Sequence, residues 1–476
     1  MREFFYRPDN AWVGDVIPYY EDGEFKLFYL HGWRENYQEG LDHGWYLVGT
    51  KDFVNYRADG ACKIQGGTGH VLKVDGTYHM FYCIFPPGKQ LVCHAVSSDL
   101  KTWEPIPEHT FAADDRIYEL SDWRDPFVFW NEEEGQYWML LAGMAKGPTN
   151  RKGCTALLSS KDLNTWEYRE PLYAPNLHVG AHECPDLFRI GDWWYLIYSS
   201  YTGRFATFYR MSRSLEGPWL TPGEDTFDGR AFYAAKSVSD GEKRYLFGWN
   251  PTKDDDLFDW NPPKSRGKDY HTWDWGGNLI VHEIVQRPDG TLGVKVPDTV
   301  DAAFSQPLPV QYQGIAGEWT VADQSLSCDS PYGFAGCTSR EELPEQCKIS
   351  ARISFSGETQ GVGLMLRTED TLDEAYYVTL EPQRNRLTFR GKIMQSEEGG
   401  KTFPYEVELE RPIELDPGRP YEIKVFIDGT ICEIYVDESI AMSARMYDIP
   451  RGKLGLFVSQ GHAGFEEVRI DARLVG

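Results

Sequence analysis

Three short stretches set an acid where an ordinary surface acid does not sit. Trp123-Arg124-Asp125-Pro126-Phe127 places an acid beside a base inside an aromatic, strand-like run. Asp15 stands in Trp12-Val13-Gly14-Asp15-Val16, and Glu183 stands in His182-Glu183-Cys184-Pro185-Asp186. A charge in such surroundings must be paired, hydrogen-bonded or used. Carboxyl groups brought together can cleave glycosidic bonds. In a retaining enzyme one attacks the anomeric carbon, and another protonates the leaving oxygen and later activates water. For that chemistry the fold has to unite residues that are 168 positions apart from first to last.

The elements able to do so repeat through the first 290 residues. An acidic or glycine turn leads into a strand at Asp22-Gly23-Glu24-Phe25, and again at Asp75-Gly76-Thr77-Tyr78, Glu134-Gly135-Gln136-Tyr137, Gly191-Asp192-Trp193-Trp194 and Asp240-Gly241-Glu242-Lys243. The turn glycines 23, 76, 135, 191 and 241 recur every 50 to 59 residues. A second turn closes on an aromatic four positions after an aspartate, at Asp52-Phe53-Val54-Asn55-Tyr56, Asp99-Leu100-Lys101-Thr102-Trp103 and Asp162-Leu163-Asn164-Thr165-Trp166. Period-2 alternation and this turn chemistry predict antiparallel strands. Repeats of roughly 50 residues with about four short strands each predict propeller blades. The fold class is therefore all-β, a five-bladed β-propeller over residues 1–295. Asp15, Asp125 and Glu183 fall at or near the first strand of their blades, a register that aims all three into one axial funnel. After a surface linker expected at 296–315, residues 316–476 alternate without the blade pattern, as in Tyr421-Glu422-Ile423-Lys424-Val425, and predict a β-sandwich.

The 476 residues require more than one core. A net charge of −25 makes nucleic acid and anionic membrane poor partners. Nine scattered cysteines show no metal-binding spacing, and neither metal nor cofactor is expected. The N-terminus has no apolar h-region, and no apolar run approaches the ~20 residues that cross a bilayer. Free thiols and a cytoplasmic location are the expectation.

The motifs resemble those of glycoside hydrolase family 32, the invertases, levanases and inulinases. Arg124-Asp125-Pro126 matches the family's R-D-P motif, Glu183-Cys184 its E-C motif, and Trp12-Val13-Gly14-Asp15 is similar to W-x-N-D-P. Asp228-Gly229-Arg230-Ala231-Phe232-Tyr233-Ala234, Leu246-Phe247-Gly248-Trp249 and Trp275-Gly276-Gly277-Asn278-Leu279 extend the likeness along the chain. The resemblance implies that Asp15 is the nucleophile, that Asp125 stabilises the transition state through the ring hydroxyls, and that Glu183 is the general acid/base. Arg124 is expected to pair with an acid or a sugar hydroxyl. Trp33, Trp45, Tyr233 and Trp275 are candidates to stack on a sugar face, with Gln65 and His182 as further substrate-binding candidates. The chain departs from the family at Gly14 and Val16, which replace Asn and Pro, at Leu30, which replaces Gln, and at Ile64-Gln65-Gly66-Gly67-Thr68. These changes surround the sugar the nucleophile attacks, and glycine and leucine side chains hold no hydroxyl. The leading expectation is a β-fructofuranosidase acting on a small carbohydrate. Alternatives are a fructosyltransferase or difructose-anhydride-forming enzyme, a hydrolase of another furanoside such as a β-arabinofuranoside, and a non-catalytic glycan-binding protein.

Overall fold

The computed structural model describes residues 4–9, 11–32, 44–254, 267–322, 325–391 and 408–474. Its first part is the expected propeller. Blade 1 holds β1 (Trp12–Glu21), β2 (Glu24–Gly32), β3 (Gly44–Thr50) and β4 (Tyr56–Gln65). Blade 2 holds β5 (Gly67–Val74), β6 (Thr77–Ile84), β7 (Leu91–Ser97) and the short β8 (Glu104–Pro105). Blade 3 holds β9 (Tyr118–Asn131), β10 (Gln136–Ala145), β11 (Gly153–Ser160) and β12 (Glu167–Tyr173). Blade 4 has β13 (Glu183–Ile190), β14 (Trp193–Ser200) and β15 (Ala206–Ser212), with two isolated bridges, Phe208 to Thr226 and Met211 to Leu220, along its outer edge. Blade 5 holds β16 (Tyr233–Ser239), β17 (Arg244–Pro251), β18 (Gly277–Gln286) and β19 (Leu292–Lys295).

Local chemistry accounts for the repeat. Asp22-Gly23 and Asp75-Gly76 both take left-handed backbone at each residue (φ 53° and 76°, 48° and 83°), the geometry that twists a two-residue hairpin correctly. In the second turn the Thr50 hydroxyl accepts the Asp52 and Phe53 amides, while Asp52 accepts those of Val54 and Asn55. Ser97 with Asp99, and Ser160 with Asp162, repeat this pattern bond for bond. Each such turn drives Phe53, Leu100 or Leu163 into the core between blades.

The remaining strands form a sandwich around Ile349, Val378, Ile423, Leu456 and Phe465. One long strand, Lys453–Arg473, turns at Gln460 and Gly461 (φ 52° and 122°) and joins both faces. The expected linker at 296–315 is instead built into the structure. It contains a helix, Asp298–Ala303, and a strand, Phe304–Pro307, that pairs with the end of Lys453–Arg473. Phe304 is fully buried in a core shared with Phe4 of the propeller and Phe426 of the sandwich, which is why this stretch does not run free. Asp428 accepts the Phe4 and Phe5 amides at 2.5 and 2.8 Å, and so clamps the N-terminal segment. All nine cysteines are free and buried. Among the described residues no helix is long and apolar enough to cross a membrane.

Candidate active site

The innermost strand of every blade carries the same irregularity. Two residues face one on the partner strand at Gly14-Asp15, Thr68-Gly69, Asp125-Pro126, Cys184-Pro185 and Ala234-Ala235. Such a bulge bends the strand and re-aims its side chains. Asp125, Cys184 and Ala234 occupy the same first bulge position, and all three are left-handed (φ 58°, 49° and 54°). Non-glycine residues adopt this region at a cost, and such strain concentrates where function requires it. The three acids come from three different steps of one device. Asp15 is the second bulge residue of blade 1, Asp125 the first of blade 3, and Glu183 the residue before the bulge of blade 4. Each therefore leaves the backbone in its own direction.

Arg124 links Glu183 and Asp125, and Asp15 is coupled to both through charge. Trp249 Nε1 donates to Asp15 Oδ1 at 3.0 Å. The Tyr233 hydroxyl donates to Glu183 Oε2 at 2.5 Å, and Arg124 Nη2 donates to Glu183 Oε1 at 2.8 Å. The Cys184 amide donates to Asp125 Oδ2 at 2.9 Å, and Arg124 Nε lies 3.9 Å from the same oxygen. Asp122 holds the other side of Arg124 at 2.5 Å. Asp125 is buried, whereas Asp15 and Glu183 keep partial exposure to the funnel. Burial pushes Asp15 up to about 7, aided by the Asp125 and Glu183 charges and opposed by the Trp249 bond and Lys236. Burial also raises Glu183, with Arg124 opposing and Asp125 adding. Burial works against the Arg124 guanidinium, but Asp125 and Glu183 overcome it and hold the charge. Carboxyl groups raised in this way can keep a proton near neutral pH, as a general acid must.

The other candidates divide. Arg124 sits between Asp122, Asp125 and Glu183. Tyr233 does not offer an open face: it stacks on Phe205 at 3.9 Å and spends its hydroxyl on Glu183. Trp275 lies beside β1, where a Cβ on Gly14 would fall 2.0 Å from its Cη2. Glycine at 14 is what admits the indole. Trp45 is corrected: it is fully buried among Ile17, Phe28 and Leu47 and has no face for a ligand. His182 is corrected as well. Both ring nitrogens are engaged, with Thr155 Oγ1 at 3.2 Å and His178 Nδ1 at 3.1 Å, and the ring stacks on Tyr198. Gln65 is exposed at the end of β4. Trp33 lies outside the described residues.

Two site residues escaped the sequence reading. Trp249 was noted only as part of a motif, since nothing in an apolar strand marks an indole N–H as a donor to an acid. Lys236, 1% exposed, donates to the Gly69 carbonyl at 2.6 Å; a lysine inside a strand otherwise buried was the available signal. Away from the funnel, Asp228, His282 and Glu433 bring three ligand-type atoms within 4.8 Å of one another. Hydrogen bonds already engage this group: Asp228 takes the Ser443 hydroxyl at 2.7 Å and His282 Nε2 at 3.2 Å, and His282 Nδ1 meets the Tyr435 hydroxyl at 2.9 Å.

The chain resembles known proteins along most of its length. A levanbiose-producing levanase of Bacillus subtilis is 22% identical over 98% of this chain and 89% of its own length. A sucrose-6-phosphate hydrolase of Escherichia coli is 24% identical over 72% of this chain and 65% of its own. The fold matches that of fructan 1-exohydrolase IIa from Cichorium intybus, with a TM-score of 0.72 at 14% identity, covering 99% of this chain and 98% of the other. The model of the glycosyl hydrolases family 32 N-terminal domain matches residues 6–272, and that of the family's C-terminal domain matches residues 331–472. Since the N-terminal match alone spans more than half of the sequence, the chain belongs to glycosyl hydrolase family 32.

Proposed function

We propose that this glycoside hydrolase cleaves β-fructofuranosidic bonds in a small fructoside or fructo-oligosaccharide by double displacement. Asp15 attacks the anomeric carbon while Glu183 protonates the leaving oxygen. Glu183 then takes a proton from water, which attacks the glycosyl-enzyme ester and releases the sugar. Asp125, fixed by the Cys184 amide, holds ring hydroxyls as positive charge develops. Arg124 and Tyr233 orient Glu183. The observation that carries this reading is the convergence of Asp15, Asp125 and Glu183, each at or beside the bulge of its blade, on one group coupled by charge. The names of the relatives, a levanase and a sucrose-6-phosphate hydrolase, support a fructose-based substrate.

A panel of fructosides with product analysis tests the proposal. Wild type releases free fructose, whereas Glu183→Gln lowers kcat/KM by roughly 10²–10⁴-fold, the usual weight of a general acid/base. Unchanged turnover in Glu183→Gln defeats the assignment. Longer chains or cyclic dianhydrides in place of free fructose identify transfer.

A further inference from the structure

Lys236 stands at the first position past the bulge of β16, and its ammonium bonds the Gly69 carbonyl in the bulge of β5. Blades 5 and 2 flank blade 1, and the strands that carry the two partners, β16 and β5, both lie against β1, which bears Asp15. The partner is a carbonyl, not a carboxylate. A buried ammonium without an ion pair is costly unless nearby charge offsets it.

The charges that face it come from every inner strand. Burial holds three neighbours neutral: the Cys184 thiol and Tyr233 phenol are pushed well up, and His70 is pushed down to about 3. Asp186 is met by the Ser237 amide and hydroxyl at 2.6 Å, with Arg244 beyond it. Asp122 shares Arg124 at the rim, where its side chain is 23% exposed and water screens it. Among the described residues, Asp15, Asp125 and Glu183 with Arg124 and Lys236 remain at the centre. A retaining pair requires Glu183 protonated and Asp15 ionised, and the charge of Lys236 favours the ionised form of Asp15. Without Lys236, one of the two influences that oppose burial and the Asp125 and Glu183 charges at Asp15 is lost. The Trp249 indole is then the hydrogen bond left to favour the Asp15 charge, whereas Glu183 keeps Arg124 and Tyr233.

We propose that Lys236 is a positioning residue, the counter-ion that keeps Asp15 ionised while Glu183 carries the proton. This rests on Asp15 being the nucleophile. The test compares kcat/KM against pH for wild type, Lys236→Gln and Lys236→Arg on whichever fructoside wild type cleaves. Lys236→Gln keeps a donor for Gly69 and removes the charge. Its acid limb moves to higher pH, with about tenfold less activity at pH 6 for each unit moved and a deficit that shrinks above pH 8. Lys236→Arg restores the limb toward wild type. A loss uniform in pH, or an unmoved limb in Lys236→Gln, reduces Lys236 to a strut between blades and overturns the proposal. The same shift is read without turnover from carboxyl-¹³C aspartate NMR, with Asp15 assigned by Asp15→Asn. An Asp15 titration unchanged in Lys236→Gln overturns it even if no fructoside is cleaved, whereas an inactive wild type with a moved titration counts against the proposed function alone.

Discussion

Asp15 and Glu183 share one funnel, yet their donors treat them differently. Glu183 is gripped on both oxygens, and Asp15 on one. With Asp15 raised to about 7, the acid limb of kcat/KM is expected near pH 7 as an apparent value of the coupled acids, measurable from a pH–rate profile. A limb near pH 4 contradicts the desolvated site. The same shift sets a stability cost. Between the ordinary value of 3.8 and about 7 the unfolded chain ionises Asp15 while the folded chain keeps it protonated, so stability declines as pH rises through that window and then levels. Asp15→Asn is therefore expected to abolish turnover and to stabilise the fold by up to roughly 4 kcal/mol at pH 7.5, with no gain at pH 3. Thermal unfolding at both pH values decides it; a variant less stable at pH 7.5 refutes the account. At this scale the acids were legible because charges in aromatic strands are rare. The roles of the aromatics were not. Trp45 and Trp275 look alike in sequence, but Trp45 pairs across from Leu30 inside a blade interface, whereas Trp275 rests on Gly14.

The bulge is the element that turns five ordinary strands into a site. Ala234 shows what it demands: a buried residue at φ 54° with no β-branch. Ala234→Val is expected to cost roughly 1–3 kcal/mol and to lower turnover, because it displaces the adjacent Tyr233 from Glu183. Ala234→Gly should hold stability within about 1 kcal/mol. Denaturant midpoints and kcat measure both, and a harmless valine would mean that the left-handed backbone carries no constraint. The blades themselves were legible from Asp-Gly hairpins and Ser/Thr-x-Asp turns, whose side chains write their own backbone bonds. The bulges were hidden because Asp125, Cys184 and Ala234 give no glycine to mark a left-handed position. The stretch at 296–315 read as linker from its prolines, although Phe304 had a buried place waiting in a core built by distant segments.

At the scale of the whole molecule, propeller and sandwich meet through buried polar groups. Ser443 donates to Asp228 and lies 2.9 Å from Glu433 Oε2. One hydroxyl has one proton, so Glu433 must supply the second, which agrees with burial driving its carboxyl well above the ordinary range. A raised carboxyl costs stability once pH passes its unfolded value near 4.5. Glu433→Gln, still a donor to Ser443, is thus expected to melt higher than wild type at pH 7 and level with it at pH 4. A lower melting temperature at pH 7 would show that the glutamate is charged there. The five-fold recurrence of the bulge has a consequence for how such a funnel changes its chemistry. Ala234 in blade 5 occupies the left-handed slot that holds Asp125 and Cys184 in their own blades. The slot thus recurs as an address at which a lineage or a designer can exchange one side chain by a single codon, with no loop to rebuild.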